Sequence, residues 1–450
     1  MGRFTRTMVL AAGLLVSAQP VFGDDLVTIF ELASRNDPQL RQAQAQLNSG
    51  RQQLVISRSS LLPQLSGNLS EQRQSTGPEG TISFTDLDSQ TRRYGLNLQQ
   101  SLLNMSSWYS YQGAKEADQA RLYNYAAQEQ DLIMRVATAY FNVLRAIDDL
   151  RTRRQEEESA QRQFERTRQR EEVGLVAITE VYESQAAYDL ARNNTILAED
   201  TLSARYEALE TLTGQPHPNL EILHEDFPIE NAEGDMEMWV REAMDNNPQL
   251  LAALHSVEAS ALTAKARRSD HLPTVGLQSA YSNTDSNSGQ GADGSLRSAG
   301  VIEGFSVSVQ VSIPLYSGHA VTARRTAAEY DLVAQQEQAN LIRRNLTQDI
   351  RNAYRRVNTD AMVIAQRRQA IISAEAALNA TEAGYEVGTR NIVDVVQARQ
   401  QLFVALRNYS DARYNYVIDT LTLKRTAGVL TPQDIIDLNE WLVEQPVTAQ

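Results

Sequence analysis

The chain has 450 residues, 22% of them charged, no cysteine and a formal net charge of -14. This composition suits a folded protein large enough for more than one domain and excludes a disulfide-stapled scaffold. An acidic balance has the wrong sign for a general phosphate-backbone binder, so no nucleic acid partner is expected.

The first predicted element is a signal peptide over residues 1–23. In MGRFTRTMVLAAGLLVSAQPVFG, Arg3 and Arg6 precede an apolar run from Met8 to Val16 and then small residues, with cleavage expected after Gly23. That run is too short to cross a bilayer as a helix, and no later stretch approaches the roughly 18 to 20 continuous apolar residues required. The expectation is an exported protein without a helical anchor. Loss of Arg3 and Arg6 leaves 40 basic against 56 acidic residues, a net charge of about -16.

Beyond residue 23 the chain repeats itself. NDPQL at Asn36 to Leu40 returns as NNPQL at Asn246 to Leu250, and Leu62-Pro63 returns as Leu272-Pro273, both 210 residues on. Ala139-Tyr140 matches Ala353-Tyr354, EVGLVAITEV from Glu172 matches EVGTRNIVDV from Glu386, and Gly214 matches Gly428, each 214 residues on. The expected division is a first repeat over 24–214, a linker over 215–234, a second repeat over 235–428 and a C-terminal segment over 429–450. The period far exceeds that of an ordinary solenoid, so each copy should be a large hairpin-like unit.

In each repeat, period-two patterning comes first. Leu65, Gly67 and Leu69 belong to a strand over about 64–74, and Tyr94, Leu96, Leu98 and Leu102 to one over about 92–102. Val275, Leu277 and Tyr281 mark a third over about 274–283, and FSVSVQVSIP a fourth over about 304–314. Polar, glycine-bearing stretches between the strands of each pair, STGPEGTISFTDLDSQT and NTDSNSGQGADGSLRSAG, read as loops. Each strand is about ten residues, the length of a membrane-spanning β-strand. Strand pattern alone also fits hairpins in a soluble sheet; export, strand length and recurrence in both repeats favour the membrane. Four strands cannot close a barrel and an open edge is not tolerated in lipid, so several chains must share one barrel. Phe305, Val307, Val309 and Val311 then face lipid, while Ser306, Ser308 and Gln310 face the lumen.

Long helices follow, over about 104–212 and 318–426, because no proline occurs between Pro78 and Pro216 or between Pro314 and Pro432. In the first gap, Leu132, Val136, Ala139, Val143, Ala146 and Leu150 form one stripe. Ile133, Ala137, Tyr140, Leu144 and Ile147 form a second beside it, so the helix can touch a partner on each side. The charged run from Arg151 to Glu172 reads as a solvated helix face. Gly174 and Gly388 sit where each long pattern turns back, giving antiparallel pairs with tips at GLVAIT and GTRNIV.

No phosphate loop, GxSxG elbow, HExxH helix or cysteine cluster occurs, and the five histidines are scattered. The chain reads as a non-enzymatic conduit needing no metal or other cofactor. The rival readings are an exported coiled-coil spacer or adhesin anchored by its strands, without conduction, and an envelope enzyme.

The signal peptide, the NxPQL openings, the Leu-Pro before each first strand, SIPLYSG at Ser312 to Gly318, and the tips VGLVAITEV and EAGYEVGTRNIVDV together resemble the TolC family of outer-membrane channel-tunnel proteins. The resemblance covers the mature chain to about Asn439. It implies a mainly α-helical α+β fold, with four strands per chain in a homotrimeric β-barrel of twelve, continued by an α-barrel of twelve helices across the periplasm. Pro216 to Met244 and the segment after Gly428 correspond to an equatorial belt. The implied function is the exit duct of drug-efflux and type I secretion machines, located in the Gram-negative outer membrane. Its implied partners are outer-membrane lipid, a periplasmic adaptor (membrane fusion) protein and an inner-membrane transporter of the RND, ABC or MFS class.

By the same resemblance, Tyr385 and Arg390 match the locking residues of the periplasmic gate, and Thr179 and Glu180 match the groups they bond. Asp394 matches the constriction-ring aspartate, while Gln397 stands where the family pattern carries a second acid. The adaptor-docking tips are Gly174, Leu175, Val176 and Ala177 in the first repeat, and Gly388 and Thr389 in the second. With no cysteine near the mature N-terminus, the lipid anchor of some relatives is not expected.

Overall fold

The computed structural model describes residues 25–76, 87–287 and 300–444; the signal peptide expected over 1–23 and most of both expected loops lie outside them. After α1 (Leu26–Asn36) and α2 (Pro38–Ser59) come β1 (Gln64–Thr76), β2 (Leu87–Leu103), α3 (Met105–Glu172) and α4 (Ile178–Thr213). A short β3 (Ile222–Leu223) precedes a second series: α5 (Met236–Asn246), α6 (Pro248–Ser269), β4 (Thr274–Ser286), β5 (Gly300–Ser312), α7 (Ala320–Glu386) and α8 (Ile392–Ala427). The described chain then adds α9 (Pro432–Asn439) and β6 (Leu442–Val443), and β6 pairs with β3.

The repeated NxPQL motif is a helix start. Asp37 caps α2 by accepting from the Leu40 amide, and Asn247 caps α6 by accepting from the Leu250 amide, each with proline at the first helical position. The two copies differ in what else the cap holds. Asp37 is buried and takes two bonds from the guanidinium of Arg135 on α3, at 3.0 and 2.8 Å, which holds its carboxyl below the usual carboxylate range. Asn247 instead donates to the Thr426 carbonyl at the end of α8.

At 68 and 67 residues, α3 and α7 are each about 100 Å long at 1.5 Å per residue. Helix α3 packs against α2, α4, α6 and α8, and α7 against α5, α6 and α8. The expected stripes of α3 are largely buried, with Leu132, Ile133, Val136, Ala137, Tyr140, Val143 and Leu144 at or below 2% exposure. Met134 and Phe141 form a third buried row, because mid-length α3 meets α1 and α8 as well as the β3 region. Among the described residues no helix is long and apolar enough to cross a membrane.

The four long strands form one antiparallel sheet in the order β1-β2-β4-β5, leaving β1 and β5 as open edges. The strands outrun the sequence reading: residues 75–76, 87–91, 283–286 and 300, expected in loops, continue the hairpins. Cross-strand polar pairs support the extension, among them Arg92 opposite both Glu71 and Asp285, and Asn283 bonded to Glu303 at 3.0 Å.

Candidate functional site

The register settles which side chains share a face, because directly opposed residues of an antiparallel pair point the same way. Leu65 and Leu69 lie opposite Leu98 and Tyr94; Leu96 lies opposite Tyr281; Leu277, Tyr281 and Val275 lie opposite Val309, Phe305 and Val311. The apolar positions of all four strands therefore merge into one patch, and Phe305, Val307, Val309 and Val311 are each more than half exposed within the single chain. On the opposite face stand Ser66, Asn68, Asn97, Gln278, Ser306, Ser308 and Gln310.

At the far end of the long helices, α3 turns into α4 and α7 into α8. Gly174 (φ 76°) and Gly388 (φ 79°) take the left-handed conformation that lets each chain reverse. The Gly174 and Leu175 amides donate to the carbonyls of Glu171 and Arg170, closing the end of α3. At the second tip the Thr389 and Arg390 amides converge on the Gly384 carbonyl, and the Thr389 hydroxyl also donates to it at 3.0 Å. A side chain at Gly384 would meet Cγ of Arg390 at 2.8 Å, so any larger residue there would displace the Arg390 side chain. Leu175 and Val387 project from the tips and are mostly exposed, Val176 is half-buried, and Ala177, the N-cap of α4, makes no side-chain cap bond.

The structure brings two of the four expected lock residues together. The Tyr385 hydroxyl donates to Oε2 of Glu180 at 2.9 Å, joining the last turn of α7 to the first turn of α4. The Glu180 carboxylate there also faces the positive end of the α4 dipole. The Tyr385 ring rests against the guanidinium of Arg170, 5.2 Å away, and burial together with the Glu180 carboxylate pushes its phenol above the usual tyrosine value. It is therefore a neutral donor at any physiological pH. Thr179 is exposed, and Arg390 reaches neither it nor Glu180 within the chain; Arg390 lies 3.9 Å from Asp394, one turn along. Asp394 is engaged already, because Asn391 accepts from its amide at 2.9 Å while the Asp394 carboxylate accepts from the Asn391 amide at 3.3 Å. This reciprocal cap starts α8.

Sequence reasoning missed Arg170, Gly384 and Asn391. The cap had a visible signal, an Asn followed three residues later by Asp ahead of an apolar run. Arg170 had been absorbed into the charged run from Arg151 to Glu172, and the structure corrects that reading. One side of the run is solvated, as in the Glu158–Arg162 and Arg168–Glu172 pairs. The other side is packed inward: Gln163 and Thr167 are buried, and Glu156 pairs at 2.8 Å with Arg407 of α8, both side chains 14% exposed. The α3 helix is wrapped on several sides, so even its charged turns acquire partners.

Higher on the α7–α8 hairpin, Asp360 faces Asp419. Burial, and then the Asp419 carboxyl, raise Asp360 to about 7, while Arg356 on α7 opposes the shift and itself lies 3.4 Å from Asp419. Oδ2 of Asp360 is buried and accepts no N–H or O–H donor in the described structure, which suits a carboxyl held in its protonated form. Among the described residues, no group of three or more His, Cys, Asp or Glu side chains is placed to hold a metal ion.

A family model described as outer membrane efflux protein matches residues 29–215 and 239–429. Outer membrane protein TolC of Vibrio cholerae is 37% identical over 433 residues, 96% of this chain and 96% of its own length. Its counterpart in Escherichia coli is 33% identical over 433 residues, covering 94% and 86%. Alkaline protease secretion protein AprF of Pseudomonas aeruginosa is 29% identical over 446 residues, covering 95% and 89%. Among solved structures, the Campylobacter jejuni CmeC outer membrane channel superposes with a TM-score of 0.77 at 17% identity, over 98% of each chain. This last similarity speaks to the fold alone.

Proposed function

Because the chain belongs to the outer membrane efflux protein family, we propose that it is an outer-membrane exit duct, passing small toxic molecules and secreted polypeptides from the periplasm to the outside. Relatives named for secretion as well as for the TolC channel support both cargo classes. The observation that carries the reading is the four-stranded sheet with one apolar face and two open edges, continuous with helices of 67 and 68 residues. Lipid does not tolerate unpaired strand edges, and three such chains close them into a barrel of twelve strands. Phe305, Val307, Val309 and Val311 then face lipid, and the long helices continue the wall of the tunnel across the periplasm, girdled by residues 215–234 and the segment after Gly428.

The gate lies at the helical tips. The Tyr385–Glu180 bond ties the α7–α8 hairpin to α4, and Arg390 adds charge beside it, with Thr179 and Glu180 of a neighbouring copy as its partners in the closed trimer. Three Asp394 carboxylates surround the pore there. Exposed Leu175 and Val387, with Gly174, Val176, Ala177, Gly388 and Thr389, form the surface on which a periplasmic adaptor docks, recruiting an RND, ABC or MFS transporter that supplies the energy. Breaking a few polar links shifts the closed population to open. The chain is a passive conduit without catalysis or cofactor. The test is dye accumulation: cells deleted for the chain should retain a fluorescent hydrophobic dye and lose it again when the gene is restored. Unchanged retention after deletion would contradict the efflux role.

A further inference from the structure

The sheet carries charge unevenly between its faces. On the apolar side, the charges of the described residues appear only at the end remote from the helices, where both arginines stand beside acids: Glu71 lies 3.1 Å from Arg73 and 3.8 Å from Arg92, Arg92 also stands opposite Asp285, and Glu303 accepts from Asn283. On the polar side, the registers place Ser66, Asn68 and Ser70 of β1, Asn97 and Gln99 of β2, Gln278, Ser282 and Thr284 of β4, and Ser306, Ser308 and Gln310 of β5. The single charged residue on this face, among the described strand side chains, is Arg93, exposed and located near the remote end of β2. Its Nε donates to the hydroxyl of Thr284 at 3.4 Å, a neutral partner, and no described carboxylate comes within ion-pair distance of it.

From this we propose that Arg93 forms an anion-binding ring inside the barrel near its outer mouth, a site for multivalent anions or for anionic groups on passing cargo. The inference rests on the trimeric duct described above, since three copies of Arg93 must meet at one level of the lumen. A guanidinium keeps its charge at all relevant pH values and offers a planar fork of donors suited to phosphate, sulfate or carboxylate. Among the described side chains that charge is uncompensated, and it is opposite in sign both to the acidic chain and to the Asp394 carboxylates at the other end. Arg92 provides an internal comparison, with the same charge one residue away on the opposite face.

The test is single-channel recording of the purified trimer with inorganic triphosphate added on the barrel side, for wild type, Arg93→Gln and Arg92→Gln. Wild type and Arg92→Gln should be blocked at similar triphosphate concentrations, and Arg93→Gln should need about tenfold more, the loss expected for charge-assisted bonds. Triphosphate without effect on wild type, or block equally strong in Arg93→Gln, would overturn the ring. Equal weakening in both variants would overturn the assignment of faces. A wild-type protein that does not conduct would overturn the duct itself, and the ring with it.

Discussion

Tyr385 and Glu180 stand 205 residues apart, in different repeats, yet the phenol of one donates to the carboxylate of the other at 2.9 Å. Glu180 is the counterpart of Asp394 at the 214-residue offset, and both sit in the first turn of the second helix of their hairpins. The two repeats have thus diverged at one position into a cross-hairpin acceptor and a helix cap that also approaches Arg390. A double-mutant cycle of Tyr385→Phe and Glu180→Gln should give a coupling of about 1.5 kcal/mol, the low end for a bond to a charged group because both residues are only half-buried. Hydrogen exchange of the Val387 to Arg390 amides reads it; strictly additive effects would show that the bond does not hold this tip.

Substitution on the sheet should depend on parity. Val309→Lys places a cation on the apolar face opposite Leu277, whereas Gln310→Lys places it on the polar face opposite Gly276. Near mid-bilayer the first should cost about 2 to 4 kcal/mol and sharply lower the amount of protein recovered in the outer membrane, with little effect of the second. Equal recovery of both variants would contradict the lipid-facing assignment.

Gly214 and Gly428 end α4 and α8 at equivalent positions, with φ near 80° in each. Around Gly214 nothing lies within reach of an added Cβ, but at Gly428 that atom would fall 2.4 Å from the Asn246 carbonyl oxygen. Gly214→Ala should therefore cost only the left-handed strain, about 1 to 2 kcal/mol. Gly428→Ala should cost a further 1 to 3 kcal/mol or so, because backbone must move apart. Thermal unfolding of the two purified variants checks the order; a smaller loss for Gly428→Ala would contradict the packing described.

The Asp360–Asp419 contact predicts a pH dependence with a definite sign. The folded state holds the Asp360 proton up to about pH 7, well above the ordinary aspartate value of 3.8, so this contribution to stability is complete below that value and is lost as pH rises through about 7. Asp360→Asn keeps a hydrogen-bonding group without the titration. Between pH 5 and 8 the wild-type melting temperature should fall relative to that of Asp360→Asn, and parallel curves would refute a protonated Asp360 in the folded state.

Much of the architecture was readable because it rests on local rules. Proline gaps bounded the long helices, period-two runs located the strands, and the 210- and 214-residue offsets exposed the repeat. The strand ends were not readable, since polar residues such as Gln90, Thr284 and Asp285 pair across the sheet only once the register is fixed. At the site, Tyr385, Arg390, Thr179, Glu180 and Asp394 were named from resemblance. Charge alone left Arg390 and Glu180 indistinguishable from an ordinary surface pair. Arg170 under the Tyr385 ring and Phe141 in the third row of α3 depend on which helices surround α3, information that periodicity along one helix does not contain.

The central claim is a tunnel closed by polar links at its helical tips. Its most direct test is the conductance of the purified oligomer in a planar bilayer, for wild type and for Tyr385→Phe combined with Arg390→Ser. A small wild-type conductance that rises several-fold in the double variant is the predicted result. Absence of conduction in both proteins would contradict the tunnel, and an identical conductance in both would contradict the lock.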